Sequence, residues 1–115
     1  MAKLPNYEKA FIDPVKIRDY ILSPIHPVGR FKAALFKMMG YTPEAWELFA
    51  EDIRKYHLPM DAESLEKTQY GQKYIITGAI TGPNGKIVIL RSIWIIMEGE
   101  ESPRFITIYP QGEKK

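Results

Sequence analysis

Near residue 70 the chain changes its hydrophobic period, and that change constrains the fold more than any other feature. Before it, apolar residues recur three and four apart, the spacing of a helix face. Trp46, Phe49, Ile53 and Tyr56 make one such stripe behind the start signal Thr42-Pro43. After it, KYIITGAIT (73–81) and KIVILRSIWIIM (86–97) are dense in Ile, Val, Tyr and Trp, the composition of strands. GPNG (82–85) between them is a hairpin turn, GEESP (99–103) a second turn, and RFITIYP (104–110) a third strand closed by Pro110. The run 86–97 is apolar on both faces, which predicts a central strand. Helices followed by an antiparallel meander predict an α+β fold. Two to three N-terminal helices pack on a C-terminal sheet of three to four strands.

The helical half carries its own punctuation. Asp13 is a helix N-cap, with Pro14 at the first helical position and Val15, Ile17, Ile21 and Leu22 as a short apolar face. A second start falls at His26-Pro27, with Phe31, Leu35 and Met38 at helical spacing and Gly40 as the stop. In the third helix Glu44 and Glu47 precede Arg54, Lys55 and His57, the order the helix dipole favours, so His57 reads as a positive C-terminal residue. LPMDAESLEK (58–67) reads as a polar connection with room for a helical turn. The expected organisation is one domain over 1–115, helical about 13–57, sheet about 67–110, with a frayed tail at 111–115.

Composition narrows the chemistry. Of 115 residues none is cysteine, which excludes disulfides, thiolate zinc sites and cysteine nucleophiles. Two histidines do not make a transition-metal cluster, and no nucleophile elbow or phosphate loop is present, so no metal or cofactor is expected. The net charge of +2 is no nucleic-acid signature, so any basic footprint must come from local clustering. The longest apolar run is broken by Arg91 and Ser92, and the first residues lack a signal-peptide core. A soluble, cytoplasmic protein is expected.

A few residues stand out against this background. His26 sits at a helix mouth, near the positive dipole end and exposed N–H groups. There it is either a cap or a neutral general base beside an anion, with Lys32 and Arg30 supplying positive charge. His26 and Lys32 are six apart, so they converge only if His26 lies outside the helix. Arg91 interrupts VILRSIWII, on the face of Ile89 and Ile93, while Leu90, Ser92 and Trp94 take the other. It is either a phosphate ligand on an open sheet face or the partner of a carboxylate such as Glu66 or Glu98. By period two, Phe105, Thr107 and Tyr109 share a face. Thr107 and Tyr109 there are either hydroxyls for a phosphate, with Tyr109 able to stack on a base, or a packing row.

Taken together, residues 4–36, YGQKY, GPNG, RSIWII and PRFITIYP resemble a family of small prokaryotic proteins with a domain of unknown function. The resemblance runs from roughly Leu4 to Pro110, and its most specific mark is His26-Pro27-x-Gly29-x-x-Lys32-Ala33. This chain has Phe31 where many relatives place a second histidine or polar residue. Members also occur as C-terminal modules that look like toxin domains, and freestanding ones often neighbour a small candidate antitoxin gene. The order of elements is similar to barnase-like, colicin-like and RelE-like ribonucleases. That likeness implies metal-independent RNA cleavage, with His26 as acid/base, Lys32 and Arg91 as phosphate clamp and Thr107 as a positioning hydroxyl. Arg30 and Tyr109 would add binding contacts. The alternative implied is a non-catalytic protein-binding module, partner of a small antitoxin-like protein.

Overall fold

The computed structural model describes residues 2–23, 25 and 30–111, and of Arg30 and Phe31 the backbone alone. Five strands lie in chain order in one antiparallel sheet: β1 (Ala2–Lys3), β2 (Asp61–Thr68), β3 (Gly71–Thr81), β4 (Ile87–Met97) and β5 (Arg104–Pro110). The helices lie between β1 and β2. Besides two short 3₁₀ turns, Tyr7–Lys9 and Pro43–Ala45, they are a π-helical segment Lys16–Ile21, α1 (Arg30–Met39), and α2 (Trp46–Asp52), which runs on into a second π-helical segment, Ile53–His57. The fold is α+β as expected, but with five strands instead of three or four, and with the first strand ahead of the helices. Both additions have one cause. β2 takes up most of the segment read as a connection, and β1 pairs only with β2, through Ala2↔Ala62 and Lys3↔Asp61. β2 lies near the sheet edge and leaves most of its residues exposed on both faces, so it needs no apolar alternation and carries none.

Helices cover one face of the sheet. Ile76, Ile80, Leu90, Trp94 and Ile108 meet Ile17, Ile21, Phe36, Phe49 and Ile53 in a single core. β4 is interior, paired with β3 along Ile87–Met97 and with β5 from Leu90 to Ile95. Trp94 is fully buried on the helix side, where its indole N–H donates to Ser92 Oγ at 2.8 Å and its ring meets Phe105 edge-on, with centroids 5.3 Å apart.

Local chemistry sets each helix. Asp13 Oδ1 accepts the Val15 N–H at 3.0 Å, the cap its position predicts. α1 ends where the Tyr41 N–H reaches back to the Phe36 carbonyl at 2.9 Å and Gly40 takes φ 103°, left-handed backbone that glycine alone enters freely. The β3–β4 turn then closes over this end. Asn84 donates from its side chain to the Met38 carbonyl at 2.7 Å and from its backbone to that of Met39 at 3.2 Å. The hairpin therefore satisfies two terminal carbonyls of α1 and ties the helix to the sheet.

Two apolar stripes are displaced from their expected positions. Among the described side chains of α1 the buried ones are Ala33, Phe36 and Met39, while Leu35 is half-buried, Met38 is exposed and the side chain of Phe31 lies outside the described residues. Phe36 is drawn inward by Phe49, whose ring centroid is 4.9 Å away, and Tyr41 lies on the other side of Phe49 at 4.4 Å. On the third helix Phe49 and Ile53 are buried as expected, but Tyr56 is exposed and His57 is fully buried in its place. The cause is the π turn. Leu58 donates to the Ile53 carbonyl at 2.8 Å, five residues back, and the wider turn advances the buried face by about one residue. His57 is thus no charged helix terminus. Burial pushes its pKa down from 6.5 to about 4, the Ile76 backbone working weakly the other way, and the ring is neutral.

Candidate anion-binding site

β5 carries a bulge, and the bulge builds the site. Trp94 pairs with Phe105 but Ile93 with Thr107, which leaves Ile106 as the extra residue. Phe105 therefore faces the helical core with Trp94, while Thr107 and Tyr109 face the other way, opposite Ile93 and Arg91. This corrects the expectation that Phe105, Thr107 and Tyr109 share a face. Arg91 lies on the non-core face as its period predicts, flanked by Thr77 on β3 and Tyr109 on β5. Paired residues at such positions hold their Cβ atoms about 4.5–5.5 Å apart, so the two side chains leave the sheet side by side.

Lys32 comes from the first turns of α1. β5 is the last strand of the sheet, and Lys32, one turn ahead of Phe36, reaches its far face around the edge. Its ammonium donates to Thr107 Oγ1 at 3.2 Å and lies 5.5 Å from the Tyr20 ring centroid and 5.6 Å from that of Tyr109. Thr107 and Tyr109 are 3% and 7% exposed, so the cation is held against a partly desolvated surface. Arg91 is half-buried, and its Nε is shielded from solvent without a hydrogen-bond partner. Among the described residues no carboxylate pairs with it, and Glu66 instead faces Lys73 at 3.8 Å. Two cations thus meet one sheet face beside two hydroxyls, an arrangement that suits a multiply charged oxyanion.

Of the residues singled out in the sequence, Lys32, Thr107, Tyr109 and Arg91 come together here. His26 lies outside the described residues, as does the side chain of Arg30. The described part of α1 begins at Arg30. Tyr20 was missed. It sits on the π-helical segment, where an aromatic among Lys16, Arg18 and Asp19 reads as a surface residue, and only its meeting with Lys32 marks it.

Comparison with known proteins agrees with this architecture. A family model described as a domain of unknown function, DUF6883, matches residues 3–112. The chain belongs to that family. No curated protein matches it. Among solved structures, a chain of the contact-dependent growth inhibition toxin–immunity protein complex from Klebsiella pneumoniae 342 is similar to this DUF6883 domain. It has 22% identity and a TM-score of 0.59, over 87% of this chain and 98% of that one. At that identity the likeness concerns the fold. Among the described residues no helix is long and apolar enough to cross a membrane.

Proposed function

We propose that this DUF6883 domain is a toxin-like, metal-independent ribonuclease module whose phosphate-binding face is formed by Lys32, Arg91, Thr107 and Tyr109. The observation that carries the reading is the meeting of Lys32 with Thr107 at 3.2 Å on the face where, among the described residues, the buried Arg91 Nε has no hydrogen-bond partner. The reaction is attack of a ribose 2′-oxygen on the adjacent phosphorus. The 2′-proton passes to a base, the bond to the 5′-oxygen breaks, and that oxygen takes a proton from an acid. The products are a 2′,3′-cyclic phosphate and a 5′-hydroxyl. His26 serves as the acid/base. Lys32 and Arg91 stabilise the charge that builds on the non-bridging oxygens, while the buried Thr107 and Tyr109 hold Lys32 in place beneath them. Arg30 adds a backbone contact. Such RNA is met in the cytoplasm.

The test is cleavage of labelled tRNA and mRNA in EDTA. Lys32→Met and Arg91→Met should each cost roughly 10²–10³ in rate, and His26→Ala at least as much, with the fold intact. Wild-type protein that is folded yet cleaves neither RNA at high concentration would sink the reading.

A second reading is a protein-binding module paired with a small antitoxin-like protein. It is favoured by Ile87 and Ile89, 67% and 47% exposed in the same row as Arg91, and by the toxin–immunity complex among the similar structures. Folded protein without RNA cleavage would leave this one standing.

A further inference from the structure

The ammonium of Lys32 is met by three groups on two separate elements. Thr107 and Tyr109 belong to β5, and Tyr20 to the π-helical segment Lys16–Ile21. That segment is wide because Leu22 donates to the Ile17 carbonyl at 2.9 Å, five residues back. Both Ile17 and Ile21 remain fully buried across it, which anchors the turn on either side of Tyr20. Tyr20 itself is half-buried and packs in part against the core, so its ring is not a freely swinging surface group. π turns of this kind recur where a side chain must be aimed at a functional site.

We propose that Tyr20 is a positioning residue of the anion site, acting through Lys32. A lysine is a point charge on a stem of four rotatable bonds, and alone it would spread its charge over many positions. Two tyrosine ring faces converge on the same ammonium and hold it by its attraction to their π-electrons, beside the hydroxyl of Thr107. The ordering cost is thereby met in the folded protein before an anion arrives. The ring of Tyr20 carries this role, and its hydroxyl is not required for it. The inference rests on the ribonuclease reading for its consequence in rate, but not for its geometry.

The experiment is a double-mutant cycle with a structural readout beside it. Tyr20→Leu should lower kcat/KM on RNA about tenfold, a modest share of the loss from Lys32→Met, while Tyr20→Phe keeps wild-type activity. In a Lys32→Met background Tyr20→Leu should have no further effect. Equal losses from Tyr20→Leu with and without Lys32, or a Tyr20→Phe variant as poor as Tyr20→Leu, would overturn the role. Urea midpoints of all variants show whether a loss comes from unfolding. If wild-type protein cleaves no RNA, the ribonuclease reading fails and NMR still decides the positioning. The Lys32 ε-methylene protons should lie upfield from ring currents in wild type and Tyr20→Phe, and move toward the free-lysine position in Tyr20→Leu. Unshifted ε-methylene protons in wild type would refute the placement of Lys32 between the rings.

Discussion

Acid should loosen this fold at His57. The ring is fully buried, neither nitrogen makes a well-formed hydrogen bond among the described residues, and burial outweighs the opposing Ile76 backbone to hold the pKa at about 4 against 6.5 in the unfolded chain. Above pH 6.5 the ring is neutral in both states and costs nothing by ionisation. Between 6.5 and about 4 the unfolded chain binds a proton that the folded chain does not, so stability falls as pH drops. At about 1.4 kcal/mol per pKa unit, the gap is worth about 3 kcal/mol, nearly all of it lost by pH 4. The assay is the urea midpoint from pH 7.5 to 4, in wild type and in His57→Leu, which is close in volume and has no polar atom. The wild-type curve should descend more steeply than that of His57→Leu below pH 6.5. At pH 7 the variant should be as stable as wild type or up to about 1 kcal/mol more so, because two unsatisfied nitrogens are gone. Parallel curves across the whole range would refute the reasoning, and so would an NMR titration of the imidazole near 6.5.

Three further outcomes follow from single contacts. Gly82→Ala would drive a Cβ into the Met39 carbonyl oxygen at the tie between hairpin and α1, and should cost roughly 1–3 kcal/mol by chemical denaturation. Tyr41→Phe removes a 2.7 Å hydrogen bond from a buried phenol, pushed up in pKa by burial and by Asp52, to that carboxylate. It should cost about 1–2 kcal/mol by the same measurement. Arg91→Met should leave stability unchanged or raise it by up to about 1 kcal/mol while weakening the proposed RNA binding, because among the described residues the buried Nε has no partner to lose. A destabilised Arg91→Met would mean that the arginine holds the sheet together and does not await a ligand.

What was legible in the chain was whatever repeats at a period. The hairpin at GPNG, the turn at GEESP, the Asp13 cap and the inward face of Leu90, Ser92 and Trp94 all follow from local chemistry and alternation. The misses occur where the period is broken by one residue. A π turn moved the buried position from Tyr56 to His57, and nothing in Ile53–His57 announces it, since a wider turn is chosen by the packing it permits. β2 was invisible because an exposed strand buries no face and so need not alternate. In the site, Lys32, Arg91, Thr107 and Tyr109 were readable as residue types. Their meeting depends on β5 being an edge strand with a bulge, a property of the assembled sheet.

The bulge at Ile106 makes a prediction that separates register from mere length. Phe105 opposite Trp94 and Thr107 opposite Ile93 are neighbours in an ordinary ladder, with Ile106 as the added residue between them. Deleting Ile106 therefore leaves every other pair of β5 with its present partner and face. Phe105 stays in the core and Thr107 within reach of Lys32. The loss is confined to the half-buried Ile106 side chain and to some strand twist, about 1–2 kcal/mol. Deleting Ile108 instead removes a fully buried core residue and moves Tyr109 opposite Ser92, onto the core face. A one-residue slip of that kind turns the strand's end inside out, and should cost more than about 4 kcal/mol. Thermal denaturation of the two deletions decides between these accounts. If they melt alike, Ile106 is an ordinary ladder residue, and the placement of Thr107 beside Lys32 needs another cause. If the Ile106 deletion folds and the Ile108 deletion does not, one inserted residue explains how a single strand serves the core with Phe105 and the anion site with Thr107 and Tyr109.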